Sequence, residues 1–65
     1  MIKEQYFRIL DEALSNAKRY LFTPKEFYYM LDGIKLCAQH DYDITPDDYL
    51  EIIVYKDKIA EEIGK

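Results

Sequence analysis

The sequence predicts an all-α fold: a small three-helix bundle with two short corners, built as a single helical domain over residues 1–65. Two observations predict it. Thr23-Pro24 and Thr45-Pro46 are both helix-start signals, and they divide the chain into three pieces. Each piece then carries its apolar side chains at steps of three and four, the period of a helix lying on a core.

The first piece spans residues 2–21. Tyr6, Leu10, Ala13, Ala17 and Tyr20 form its stripe, widened by Ile2, Phe7, Leu14 and Leu21. Charged and polar residues from Lys3 to Arg19 take the other face, and Ala13 and Ala17 leave room for a close neighbour. Lys18 and Arg19 suit the negative end of the helix dipole.

The second piece opens on Phe22-Thr23-Pro24-Lys25-Glu26-Phe27. Thr23 is the N-cap, and Pro24 occupies the first helical position, where a missing N–H costs nothing. Glu26 stands three residues on to close a capping box, and Phe22 and Phe27 form a hydrophobic staple. The helix is expected from Pro24 to about Gln39, with Phe27, Met30, Leu31, Ile34, Cys37 and Ala38 as its apolar residues. Tyr29, Gly33 and Leu36 form a second face. An interior glycine there costs about 1 kcal/mol relative to Ala; it is either simply tolerated or marks the close approach of another backbone. A helix so apolar around its circumference is expected to be the central one, and Tyr29, Gly33 and Leu36 are the candidate self-association residues.

The third piece opens on Ile44-Thr45-Pro46-Asp47-Asp48-Tyr49, with Asp48 in the box position, and runs to about Ile63 before Gly64 as a stop. Tyr49, Ile52, Ile53, Ile59, Ala60 and Ile63 make its stripe. Lys56 falls inside that stripe and must snorkel its amine to water. Tyr49 to Tyr55 is also rich in strand formers, so Ile52–Tyr55 reads as helix mainly on the strength of the cap before it.

The totals bound the function. With 65 residues the core is marginal, and one cysteine excludes an internal disulfide. Regular packing, self-association or a partner must compensate. With 49% hydrophobic and 34% charged residues the chain is globular rather than disordered. No apolar run reaches the roughly 20 residues of a bilayer span, and the N-terminus lacks a signal-peptide core. With a free thiol, this predicts a cytoplasmic protein.

The net charge of −4 is unevenly distributed. Residues 41–51 hold Asp41, Asp43, Asp47, Asp48 and Glu51 and no base, while the other 54 residues carry 8 acids and 9 bases. Asp47 and Asp48 serve the dipole of the third helix, and Asp41 and Asp43 can shape a turn. The same concentration of charge suits a basic protein surface. Acids at the start of the third helix repel phosphate and exclude a DNA-reading helix.

Asp41-Tyr42-Asp43-Ile44-Thr45 resembles the opening of an EF-hand calcium loop, but Pro46 stands where the sharp turn needs Gly and Ile52 where a bidentate Glu belongs. Cys37 and His40 are three apart but lack an orienting group and an oxyanion loop, so Cys37 is expected to be a small core residue. No metal, cofactor or catalytic residue is therefore expected, and the chain is read as no enzyme.

The seven tyrosines, at 6, 20, 28, 29, 42, 49 and 55, exceed what the core stripes use. Tyr6, Tyr20 and Tyr49 fit the stripes, whereas Tyr28, Tyr42 and Tyr55 do not. Tyrosine offers large contact area at low entropic cost, so these rings either serve an interface or lie flat over a small core and cover it. The expected function is a non-catalytic protein-binding module, an inhibitor or regulator that occludes a basic surface of another protein. The expected binding residues are Asp41, Tyr42, Asp43, Asp47, Asp48, Glu51 and Tyr55. The size matches that of small bacterial and phage inhibitors, an analogy of scale alone. The alternatives are a structural homodimer through Tyr29, Gly33 and Leu36, or a nucleic-acid mimic.

Overall fold

The computed structural model describes residues 1–64. Helix α1 spans Lys3–Arg19, α2 Pro24–Gln39 and α3 Pro46–Gly64, and each helix packs against the other two. The bundle measures 33 × 16 × 15 Å. No strand forms among the described residues, and Ile52–Tyr55 lies within α3. β-branched side chains do not prevent a helix when a cap starts it and one face is buried.

The core is drawn from all three elements. Tyr6, Leu10, Ala13 and Ala17 of α1 meet Phe27, Leu31 and Ala38 of α2 and Ile52 and Ile59 of α3. Full burial of Leu10, Leu31 and Ile52 contributes roughly 1.5–3 kcal/mol each relative to exposure. No helix is central. Helix α2 buries three residues and leaves Tyr29 and Leu36 of its second apolar face exposed. Cys37 is exposed rather than core, because the buried strip of α2 passes through Leu31 and Ala38.

The three helix starts use the capping box to different extents. At α2 it is complete: the Glu26 N–H donates to Thr23 Oγ1 at 3.2 Å and the Thr23 N–H to Glu26 Oε1 at 3.0 Å. At α3 only the first half forms, with the Asp48 N–H donating to Thr45 Oγ1 at 3.1 Å. The Asp48 carboxylate, one methylene shorter than that of Glu, points toward Lys3 instead. At α1 the N-cap is Ile2, whose N–H donates to Gln5 Oε1 at 2.8 Å.

Helix α1 ends earlier than its periodicity implies. Leu21 takes a left-handed conformation, φ 57°, and the Phe22 N–H reaches back to the Ala17 carbonyl at 3.0 Å. That is the long hydrogen bond of a Schellman ending, here with Leu where glycine is usual. Tyr20 and Leu21 leave the stripe and are exposed, while Phe22 packs against the core. Ile2, outside the helix, is also exposed. Lys56 behaves as its position demands: its side chain is mostly covered, with the amine 3.1 Å from Asp57. Helix α3 continues through Gly64, against which the Tyr28 hydroxyl packs.

Candidate functional site

The second corner, residues 40–45, is built around Asp41. Helix α2 ends at Gln39 with His40 as its C-cap, the Asp41 N–H donates to the Ala38 carbonyl, and the Ile44 N–H returns to the Asp41 carbonyl at 3.2 Å. Asp41 Oδ1 accepts from the Asp43 N–H at 2.9 Å, an Asx turn, and Oδ2 accepts from the Tyr6 hydroxyl at 2.7 Å. The α-ammonium of Met1 lies 3.0 Å from Asp41 and 3.1 Å from Asp43. The Tyr6 hydroxyl, the Asp43 N–H and the ammonium all favour the carboxylate, and they hold Asp41 down at about 2. Burial and the carboxylate beside it push the Tyr6 phenol well above its ordinary value.

Asp41 therefore points inward, its side chain 14% exposed. Tyr42, the next residue, is fully exposed, because the turn that fixes Asp41 leaves no surface for the ring to lie on. Asp43 and Asp47 are exposed beside it in sequence, and Asp47 makes no ion pair or side-chain hydrogen bond among the described residues.

Asp48 and Glu51 belong to a second group. Lys3 Nζ stands 2.7 Å from Glu51 and 3.8 Å from Asp48, and these carboxylates raise the lysine's pKa, Glu51 most. Tyr55 is placed elsewhere again. Its ring packs on Phe7 with centroids 5.0 Å apart, and its hydroxyl donates to Asp11 on α1, which raises the phenol's pKa. Glu51 and Tyr55 line a shallow groove of about 540 Å³ between α1 and α3, together with Phe7, Leu50, Val54 and Lys58.

The seven expected binding residues thus fall into an exposed Tyr42 and Asp43 on the turn, an exposed Asp47 at the start of α3, an interior anchor at Asp41, a pair on Lys3, and a groove residue at Tyr55. Four of the carboxylates meet in pairs, Asp41 and Asp43 on the Met1 ammonium and Asp48 and Glu51 on Lys3. Sequence reasoning missed Leu50 and Val54, both exposed on α3. Their signal was present as an apolar pair four apart lying off the main stripe.

Cys37 and His40 are both exposed at the end of α2, with no orienting carboxylate hydrogen-bonded to the imidazole among the described residues. No described helix is long and apolar enough to cross a membrane. No family model, curated protein or solved structure matches this chain.

Proposed function

We propose that the chain is a non-catalytic protein-binding module that covers a basic surface of a partner protein with the tip of its second corner. The observation that carries this reading is the fully exposed Tyr42 ring on a turn fixed from beneath by Asp41 and Tyr6. A turn whose backbone is already fixed loses little entropy on binding, and carboxylates beside the ring favour Arg or Lys over its face. Asp43 and Asp47 supply steering charge, with Glu51 at the edge. Asp41 positions the turn, and Asp48 pairs with Lys3. Tyr55 acts only if the partner reaches the groove.

Occlusion of a basic site on the partner would make the chain an inhibitor or regulator. Imitation of a nucleic-acid backbone is the weaker reading, because Asp41 turns inward and Lys3 pairs with Asp48 and Glu51. A reducing cytoplasm suits the exposed, unpaired Cys37 thiol.

The test is comparative capture from a native lysate at low and high salt. Tyr42→Ala and Asp43→Lys are set beside the control pair Lys18→Glu and Arg19→Glu. The reading expects a protein that the native chain and the controls retain, that salt releases, and that both corner variants lose. Loss with the α1 controls and retention by the corner variants places the site elsewhere.

A further inference from the structure

We propose that the outer face of α3 is a two-fold, antiparallel interface with a second copy of this chain, in which Asp47 of each copy pairs with Lys58 of the other. The surface does not use Tyr42 or Asp43, which carry the binding corner, and the proposal does not rest on that reading.

Asp47, Leu50, Val54 and Lys58 follow one another at steps of three, four and four, so they share one strip of α3. The strip lies opposite the buried Ile52 and Ile59, and all four of its residues are exposed. Leu50 and Val54 are 61% and 69% exposed at the edge of the α1–α3 groove. Asp47 and Lys58 close the strip at its two ends with opposite charges. Neither forms an ion pair or a side-chain hydrogen bond among the described residues. They cannot reach each other within one chain, because at 1.5 Å per residue they stand about 16 Å apart along the axis.

The strip matches itself. The midpoint of Leu50 and Val54 is Ile52, and that of Asp47 and Lys58 falls between Ile52 and Ile53. The two midpoints lie within about 1 Å of each other along the helix. One two-fold axis across α3 at that height therefore serves both pairs. It lays Leu50 of each copy beside Val54 of the other, and Asp47 of each copy beside Lys58 of the other. The operation reverses the direction of the strip and keeps each of its sides on that side. Asp47 and Lys58 differ by only about 20° around the helix, so they stay on one side and meet. A two-fold interface requires such a match of a surface with itself.

The other charges of α3 do not oppose this. Like charges at the ends of the strip remain about 16 Å from their own copies. Glu51 is the acid nearest the axis, and Lys3 Nζ at 2.7 Å neutralises it within its own chain. Asp57 is engaged in the same way by Lys56 at 3.1 Å. Glu61 lies beyond Lys58, outside the stretch that the two strips share. The outer face of α2 lacks this match, since a two-fold across Gly33 sets Asp32 against Asp32.

The test is sedimentation equilibrium of the full chain over a wide concentration range, at low and high salt. The native chain is expected to dimerise, and more weakly as salt rises. Asp47→Lys sets lysine against lysine at both ends of the strip, and Lys58→Asp sets aspartate against aspartate. Each is expected to weaken the dimer by roughly tenfold or more. The double exchange of Asp47→Lys with Lys58→Asp is decisive, because it restores both pairs across the two-fold and is expected to restore the dimer. No contact within one chain can produce that rescue, given the distance between the two positions. Val54→Glu, at an exposed position, is expected to abolish the dimer without unfolding the monomer. Leu36→Glu, on α2, is expected to leave it intact.

A native chain that stays monomeric at its highest soluble concentration overturns the proposal. So does a double exchange that dimerises no better than the single variants, or a dimer lost with Leu36→Glu and kept with Val54→Glu. The Lys58→Asp variant retains Tyr42, Asp43 and Asp47, so capture by the corner is measured on a chain weakened only in the dimer, and the two readings fail separately.

Discussion

The corner at residues 20–23 is closed by contacts between residues no more than five apart, whereas the corner at 40–45 is held by a hydrogen bond between residues 35 apart. In the first, the Schellman bond to Ala17 and the Thr23–Glu26 box form within the segment itself. In the second, local bonds to Asp41 are joined by one from Tyr6 on α1. A locally closed corner can form before the helices pack. A corner held at a distance is fixed only once they have packed, and it then carries the orientation of one helix into the shape of a surface loop. The first corner presents Tyr20, exposed but stacked on Phe22, and the second presents Tyr42, whose ring stands clear of the bundle on a turn tied to α1.

Removing the distant anchor is the strongest way to break the contrast. Asp41→Ala takes the acceptor from a buried phenol and from the Asp43 N–H together. It is expected to lower the denaturation midpoint more than any other substitution discussed here, and to loosen Tyr42 without disturbing the first corner. The anchor also gives a pH signature. The Asp41 carboxyl is lowered from 3.8 to about 2 in the folded chain. A depressed carboxyl contributes stability that is present above its unfolded value and lost as pH falls through its folded value. The native chain should therefore lose stability steeply as the pH falls from about 4 toward 2, and Asp41→Asn should flatten that slope. Parallel acid titrations of the two chains would sink the assignment.

Tyr6→Phe tests the same bond from the other end. The ring stays in the core and only the hydroxyl is lost, so a cost of about 1–2 kcal/mol is expected in urea denaturation. The phenol adds an alkaline signature. Its raised value means stability that is present below its ordinary 10 and lost as pH rises beyond it, a loss that Tyr6→Phe should reduce.

The same contrast divides what was legible in the sequence from what was not. Phe22-Thr23-Pro24-Lys25-Glu26-Phe27 could be read because every partner lies within the segment and cap chemistry is specific to position. The limits of α2 follow from it. Asp41 could be read as a turn former, because the Asx bond reaches only to Asp43. Its bond to Tyr6 could not, because an apolar period says which face a tyrosine occupies and not where its hydroxyl ends. Tyr20 was misplaced for a related reason. Periodicity assumes that the helix continues, and Leu21 ends it by a conformation that its side chain does not advertise. Cys37 was misplaced because α2 was expected to bury a wider strip than two neighbours cover. At the candidate site, the acidic run was visible, but its division into an inward anchor, a lysine-paired group and an open tip depends on α1. That helix lies more than twenty residues away in sequence.

The helix starts sharpen the comparison at smaller scale. Thr23→Ala is expected to cost about 1 kcal/mol, because hydroxyl and Glu26 order one another in a complete box. Thr45→Ala removes a cap whose reverse arm is missing, and should cost less, about 0.5 kcal/mol. Equal losses in the two variants would show that the reverse arm adds nothing.

The smallest effect is expected at the one backbone position where the first corner is strained. Leu21 has a left-handed φ of 57° and is 85% exposed, so its side chain contributes almost no burial to offset the conformation. A β-carbon in that region costs roughly 1–2 kcal/mol. Glycine removes the clash but loses more chain entropy on folding, by roughly 0.5–1 kcal/mol. The difference leaves Leu21→Gly more stable by about 0.5 kcal/mol, read as a rise in denaturation midpoint with unchanged cooperativity. The sign matters more than the size, because a stabilising glycine requires the left-handed ending, whereas a helix continuing through Tyr20 and Leu21 would be weakened by it. A lower midpoint would mean that α1 runs on as its periodicity suggests and that the first corner is not closed by the bond from Phe22 to Ala17.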